Sequence, residues 1–128
     1  MKAIRPRVTV VDDDESVRES LPDLLNELGF DVRAFSSAEA FLASSSVDDT
    51  QCLIVDIAMP GMTGPELQLE LIRRVNPMPL IFITAQIDET VRQSVLKRGA
   101  VACLFKPFTE AALLEAINAA LGVTGSAE

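Results

Sequence analysis

Apolar residues along the chain gather into five short runs, separated by longer stretches of helical period. The runs are Val8 to Val11, Asp31 to Phe35, Cys52 to Val55, Leu80 to Ile83 and Val101 to Phe105. The third and fourth, Cys-Leu-Ile-Val and Leu-Ile-Phe-Ile, are continuously apolar, as strands covered on both faces of a parallel sheet are. The second alternates, which suits an edge strand. After the first run, Val17, Leu21, Leu24, Leu25 and Leu28 form a helical stripe that Gly29 stops, with Pro22 bending it near its middle. Ser36 and Glu39 predict a capping box for a second helix carrying Phe41 and Leu42, and Ser44 to Gln51 reads as a polar loop. A third helix starts at Gly64-Pro65, sets Leu67, Leu71 and Val75 on one face and halts at Asn76-Pro77. A fourth follows Asp88 as its N-cap, turns Val91 and Val95 inward and ends through Lys97, Arg98 and Gly99. A fifth opens after Thr109 with Leu113, Ile117 and Leu121 on one side. Strand and helix therefore alternate five times. Right-handed crossovers then place helices on both faces of a parallel sheet, an α/β fold.

Length and charge narrow the function. A chain of 128 residues is expected to form one domain over 1–128, with a core at about 7–121 and 122–128 as a tail or the start of a linker. Lys and Arg number 11 against 19 Asp and Glu, a net charge of −8, which argues against direct nucleic-acid binding. Histidine is absent, so His-based acid–base catalysis, the Ser-His-Asp triad and His-containing zinc sites are excluded. Cys52 and Cys103 form no CxxC motif and lie in apolar runs, so both are expected to be buried free thiols in a reducing compartment. No apolar run approaches the ~20 residues of a bilayer span. Basic residues between Met1 and Arg7 are not followed by an apolar stretch, so no signal peptide is expected. The expected location is the cytoplasm, without a membrane.

The candidate chemistry sits where the strands end, since open α/β sheets bind ligands at their carboxyl edge. The first strand is followed by Asp12, Asp13, Asp14 and Glu15, the third by Asp56, the fourth by Thr84-Ala85 and the fifth by Lys106-Pro107. Asp14 and Glu15 read as helix-start residues. Asp12, Asp13 and Asp56 do not, because neighbouring first and third strands would bring three carboxylates together. Each close pair repels by ~4 kcal/mol at an effective dielectric of ~20, a large fraction of the ~5–15 kcal/mol that holds a domain folded. A cation, a raised pKa or both must offset this, and Mg²⁺ suits an all-oxygen site that also handles phosphate. Lys106 adds a fixed positive charge, and a cis Lys106-Pro107 bond would aim it inward. A carboxylate beside a divalent metal can attack a phosphoryl group, with Lys106 and a Thr84 hydrogen bond neutralising its oxygens. Asp56 is the expected nucleophile.

With these residues in view, the chain resembles the receiver domain of two-component response regulators. The resemblance rests on Val10-Val11-Asp12-Asp13-Asp14-Glu15, on Val55-Asp56-Ile57-Ala58-Met59-Pro60-Gly61-Met62-Thr63-Gly64, on Ile83-Thr84-Ala85 and on Lys106-Pro107-Phe108. It implies a flavodoxin-like (βα)5 three-layer sandwich with strand order 2-1-3-4-5. It also implies that Asp56 accepts phosphate from a histidine of a sensor kinase or phosphotransfer protein. Asp13, Asp56 and the backbone carbonyl of Ala58 would hold Mg²⁺, with Asp12 acting through a water, and Thr84 and Lys106 would bind the phosphoryl group. Gln86 and Ala58 would border it and tune its lifetime. The fourth helix, fifth strand and fifth helix would form the output face, a possible dimer surface to which Arg92, Lys97 and Arg98 contribute. The most similar receivers are those attached to helix-turn-helix output domains, which implies control of transcription. One position departs: receivers usually carry Tyr or Phe three residues before the lysine, where this chain has Cys103, and Phe105 lies two residues out of that register.

The alternative is a Mg²⁺-dependent phosphohydrolase with the same Asp nucleophile. Such enzymes generally place a second acid two residues after the nucleophile, where this chain has Ala58, and need a cap domain for which 128 residues leave no room. A phospho-acceptor switch rather than a turnover enzyme is the expectation.

Overall fold

The computed structural model describes residues 5–86 and 88–122. The basic start of the chain at residues 1–4 and most of the predicted tail, 123–128, lie outside them. The strands are β1 (Arg7–Val11), β2 (Asp31–Phe35), β3 (Cys52–Asp56), β4 (Leu80–Thr84) and β5 (Ala102–Phe105). They form one parallel sheet in the order β2-β1-β3-β4-β5. The helices are α1 (Glu15–Glu27), α2 (Ala38–Leu42), α3 (Ser46–Asp49), α4 (Gly64–Arg73), α5 (Glu89–Lys97) and α6 (Glu110–Ala120). The predicted third, fourth and fifth helices are thus α4, α5 and α6.

Strand residues alternate between two cores. Val8, Val10, Cys52, Ile54, Ile81 and Ile83 pack with Leu21, Leu25, Leu113 and Ile117 beneath α1 and α6. Val11, Leu53, Val55, Leu80 and Phe82 pack with Phe41, Leu67, Leu71 and Val95 beneath α2, α4 and α5. Every residue of β3 and β4 is buried, as their continuous apolar character requires, whereas β2 and β5 at the margins are half-buried or exposed. None of the helices among the described residues is long and apolar enough to cross a membrane.

The helix starts follow capping chemistry. Asp14, Asp88 and Thr109 each accept a backbone N–H of the turn they open. Thr63 and Glu66 form a reciprocal capping box at α4. Pro22 lies within α1 as expected.

Four expectations need correction. The second helix is capped by Ser37, whose side chain accepts the Ala40 N–H, and not by Ser36. Glu39 leaves its own helix and accepts the Met62 N–H at 2.9 Å. The presumed loop Ser44 to Gln51 contains α3, held by Thr50, whose hydroxyl donates to the Ser46 carbonyl at 2.7 Å and bonds Thr9. Val75 is not on the buried face of α4: it is 84 % exposed with φ +53°, in a left-handed turn past the helix end. There its N–H reaches the Ile72 carbonyl while Asn76 N–H reaches that of Leu71, the two bonds of a Schellman stop. The thiols also differ from each other, Cys52 being fully buried and Cys103 half-buried.

Candidate functional site

The parallel register places the ends of β1 and β3 side by side, with Val11 opposite Val55, so Asp12 and Asp56 emerge as neighbours. Both continue the parity of the α1/α6 face of their strands, and Lys106 continues the same parity from β5. These three side chains therefore converge. Asp12 is 0 % and Asp56 7 % exposed, while Asp13 is exposed. One carboxylate oxygen from each of Asp12, Asp13 and Asp56 lies within 4.8 Å of the other two. Lys106 Nζ donates to Asp12 Oδ2 at 3.1 Å and stands 3.6 Å from Asp56 Oδ2. The Lys106–Pro107 bond is cis.

Second contacts orient the acids. Asp12 Oδ1 accepts the Asp14 N–H at 2.9 Å, and the Asp12 backbone carbonyl accepts Arg18 Nη1 at 3.0 Å. Asp56 Oδ1 accepts the Ala58 N–H at a long 3.4 Å. The turn after β3 is closed by α4, whose first residue, Gly64, lies so near that a Cβ there would stand 2.5 Å from the Asp56 carbonyl oxygen. Only glycine permits that approach. Glu39 pins the other side of this turn through Met62, and a Cβ on Gly61 would sit 2.7 Å from the Glu39 carboxylate.

The electrostatics follow from the crowding. Burial, and then the charge of Asp12, push the Asp56 carboxyl up to about 6, against the opposing pull of Lys106 and of the Ala58 N–H. Burial works against charge on Lys106, but its hydrogen bond to Asp12 and the carboxylates of Asp12, Asp56 and Asp14 outweigh it and hold the ammonium above the ordinary lysine range. Asp14 is drawn below the usual carboxylate range by hydrogen bonds from the Ser16 side chain and backbone, in keeping with its capping role. Three oxygens from three carboxylates offer the oxygen ligands of a hard divalent metal, and Lys106 with two backbone N–H groups holds the acids beside it.

Thr84 stands apart. It ends β4 with the parity of Leu80 and Phe82, on the α4/α5 side. Its hydroxyl donates to the Gln86 carbonyl at 2.9 Å and accepts the Gln86 N–H at 3.1 Å. It lines a cavity of about 100 Å³ with Ala58, Gln86, Val91, Cys103 and Phe105. Cys103 and Phe105 both face this space, Phe105 being the direct β5 partner of Thr84. An apolar groove of about 440 Å³ opens on the other side of Lys106, between Val17, Leu21 and Leu24 of α1 and Pro107-Phe108.

Comparison with known proteins decides the family: the model of the response regulator receiver domain matches residues 8–118. The chain belongs to the response regulator receiver domains. It is 43% identical over 113 residues to Nodulation protein W of Bradyrhizobium diazoefficiens, covering 88% of this chain and 50% of that protein. It is 42% identical over 115 residues to the transcriptional regulatory protein FixJ of Azorhizobium caulinodans, covering 90% of this chain and 54% of that one. Among solved structures, the response regulator StyR superposes with a TM-score of 0.84 at 46% identity, over 93% of this chain and 60% of StyR. The FixJ-N structure superposes with a TM-score of 0.84 at 38% identity, over 94% of this receiver and 96% of that chain. The receiver spans about half the length of the curated relatives it matches. The flavodoxin-like sheet order implied by the resemblance is the order observed.

Arg18 is the residue at this site that the sequence pattern does not single out. Its one signal is position: it lies one turn past the Asp14 cap, and helical side chains lean back toward the N-terminus.

Proposed function

We propose that this receiver is a phospho-acceptor switch in which Asp56 takes a phosphoryl group from a histidine of a partner kinase or phosphotransfer protein. The observation that carries the reading is the convergence of Asp12, Asp13 and Asp56, with Lys106 between the two buried carboxylates. The bond from phosphorus to the donor imidazole nitrogen breaks, its electron pair staying on nitrogen, and a bond forms to an Asp56 carboxylate oxygen. Asp13, Asp56 and the Ala58 carbonyl would hold Mg²⁺, with Asp12 linked through a water. Bound there, the ion would supply positive charge against the oxygens of the transferred group. The chain's own residues do the rest. Lys106 lies close enough to Asp56 to follow the new charge, Ala58 N–H orients the nucleophile, and Thr84 is one strand away with a hydroxyl able to donate. The groove between α1 and Pro107-Phe108 offers the donor protein a place to lie beside Lys106.

The output is read on the face of α5, β5 and α6, where a second copy or an attached domain would bind. FixJ of Azorhizobium caulinodans is a transcriptional regulatory protein, and by likeness to it the proposed output is control of transcription, through an attached or partner DNA-binding domain. The receiver itself, at net charge −8, would not contact nucleic acid. Free thiols suit a cytoplasmic setting.

Incubation with acetyl phosphate and Mg²⁺ tests the reading by intact mass. The protein should gain one phosphoryl group, and both EDTA and Asp56→Asn should prevent it. No gain in the parent protein sinks the proposal. Repeated turnover of a generic phosphate ester at a useful rate would instead favour the hydrolase.

A further inference from the structure

We infer that Arg18 is a positioning residue for the acid site: it fixes the backbone that aims Asp13. Asp13 is exposed, and its carboxylate has no hydrogen-bond or ion-pair partner among the described residues, yet one of its oxygens stands within 4.8 Å of oxygens of Asp12 and Asp56. Its direction must come from the chain on either side. The peptide group that follows Asp13 is held by the Asp14 N–H, which donates to Asp12 Oδ1 at 2.9 Å. The peptide group that precedes it is held by its carbonyl, that of Asp12, which accepts Arg18 Nη1 at 3.0 Å. Arg18 is half-buried on α1, whose start is itself fixed by the Asp14 cap. The Asp13 α-carbon is thus clamped between two tethered peptide planes, one of them tethered by Arg18. Without the guanidinium, the Asp12–Asp13 peptide can rotate and carry the Asp13 carboxylate off the site.

The inference rests on the reading of Asp12, Asp13 and Asp56 as a Mg²⁺ site, and its test separates positioning from charge because loss of the charge alone does not weaken Mg²⁺ binding. The Arg18 guanidinium touches the Asp12 carbonyl and no carboxylate of the site, and a nearby cation can only weaken the binding of a second one, so deleting its charge should by electrostatics alone leave Mg²⁺ binding unchanged or tighten it. Losing the clamp should weaken it, by about ten-fold, the lower range for residues that orient metal ligands from behind. The experiment is titration of the metal-free protein with MgCl₂, followed by backbone amide chemical shifts, for the parent and for Arg18→Met. Far-UV circular dichroism confirms the fold, and Arg18→Gln takes its place should the methionine variant not fold. A dissociation constant raised several-fold or more supports the clamp. An unchanged or lowered constant overturns it. Absence of Mg²⁺ binding by the parent protein overturns the acid-site reading itself, and the inference falls with it.

Discussion

Removing the charge of Asp56 should make the metal-free protein more stable, by an amount that depends on pH in a defined direction. In the folded protein this carboxyl titrates at about 6, against 3.8 for an ordinary aspartate. A carboxyl raised by folding binds its proton more tightly in the native state. It therefore does not disfavour folding at pH values below both numbers, and becomes progressively destabilising as pH rises from 3.8 through 6. Integrating between the two values gives a penalty well under about 1 kcal/mol at pH ~4, rising to roughly 1–2 kcal/mol at pH ~5 and on the order of 3 kcal/mol at pH ~7. Asp56→Asn removes that penalty while keeping an amide oxygen for the Ala58 N–H. The amide must still be desolvated, so the expected gain at pH ~7 is about 1–3 kcal/mol. Urea denaturation of both proteins in EDTA at several pH values measures it, and the difference between them cancels the titration of groups that do not touch Asp56, leaving Asp12 and Lys106 as the neighbours that respond to the substitution. Mg²⁺ should act in the opposite sense. At ten times its dissociation constant it adds ~1.4 kcal/mol to the parent, which holds the site, and little to the variant. A variant no more stable than the parent at neutral pH, or a difference that stays flat from acid to neutral, would refute the claim that burial, with the charge of Asp12 beside it, raises this carboxyl.

Two further predictions concern parts of the fold outside the site. Val75 is a β-branched residue at φ +53° with its side chain in solvent, so Val75→Gly relieves backbone strain without losing packing, and equilibrium unfolding should show a gain of about 0.5–1 kcal/mol; a loss would mean that the turn is not strained. Burial pushes the Cys52 thiol up to about 12, whereas Cys103 is only half-buried, so iodoacetamide on the native protein should label Cys103 first and reach Cys52 only at the rate of global unfolding; comparable labelling of both by peptide mass analysis would contradict the burial of Cys52.

The sheet was legible because two apolar runs too short for helices are continuous, as strands covered on both faces are, and β3 and β4 are buried at every position. The acids were legible because their positions immediately after those runs leave them no other place than the carboxyl edge. What stayed hidden were contacts that depend on long-range placement. Ser36, Ser37 and Glu39 carry two possible caps, and the choice fell to Ser37 because the β3–α4 turn offers Glu39 an unpartnered N–H at Met62. Helix α3 is four residues long, and its hydrogen bond from Thr50, together with the Thr9 hydroxyl beneath it, depends on β1 lying there. Val75 continues the i, i+4 spacing of Leu67 and Leu71, but Asn76-Pro77 ends the helix early enough to turn it out into a left-handed stop.

The division of the site between two faces of the sheet bears on how it can switch. Asp12, Asp56 and Lys106 belong to the α1/α6 face, whereas Thr84 belongs to the face that holds Cys103 and Phe105. On the proposed chemistry, Thr84 reaches a phosphoryl group on Asp56 only by releasing the two hydrogen bonds it makes with Gln86. Two neutral bonds contribute ~2 kcal/mol together, and one bond to a charged phosphoryl oxygen contributes ~1.5–3 kcal/mol. The exchange is close to balanced, which is what lets a single covalent event move a two-state population in either direction. The consequence falls on the far side of Thr84. As the hydroxyl leaves, the cavity beside it changes shape, and the side chains able to answer are the small thiol of Cys103 and the ring of Phe105, paired directly with Thr84 across β4 and β5. The aromatic residue of this receiver pairs with the threonine itself, whereas position 103 pairs with Phe82, so on the proposed chemistry a link from the site toward β5 would run through the tip of that strand rather than its middle.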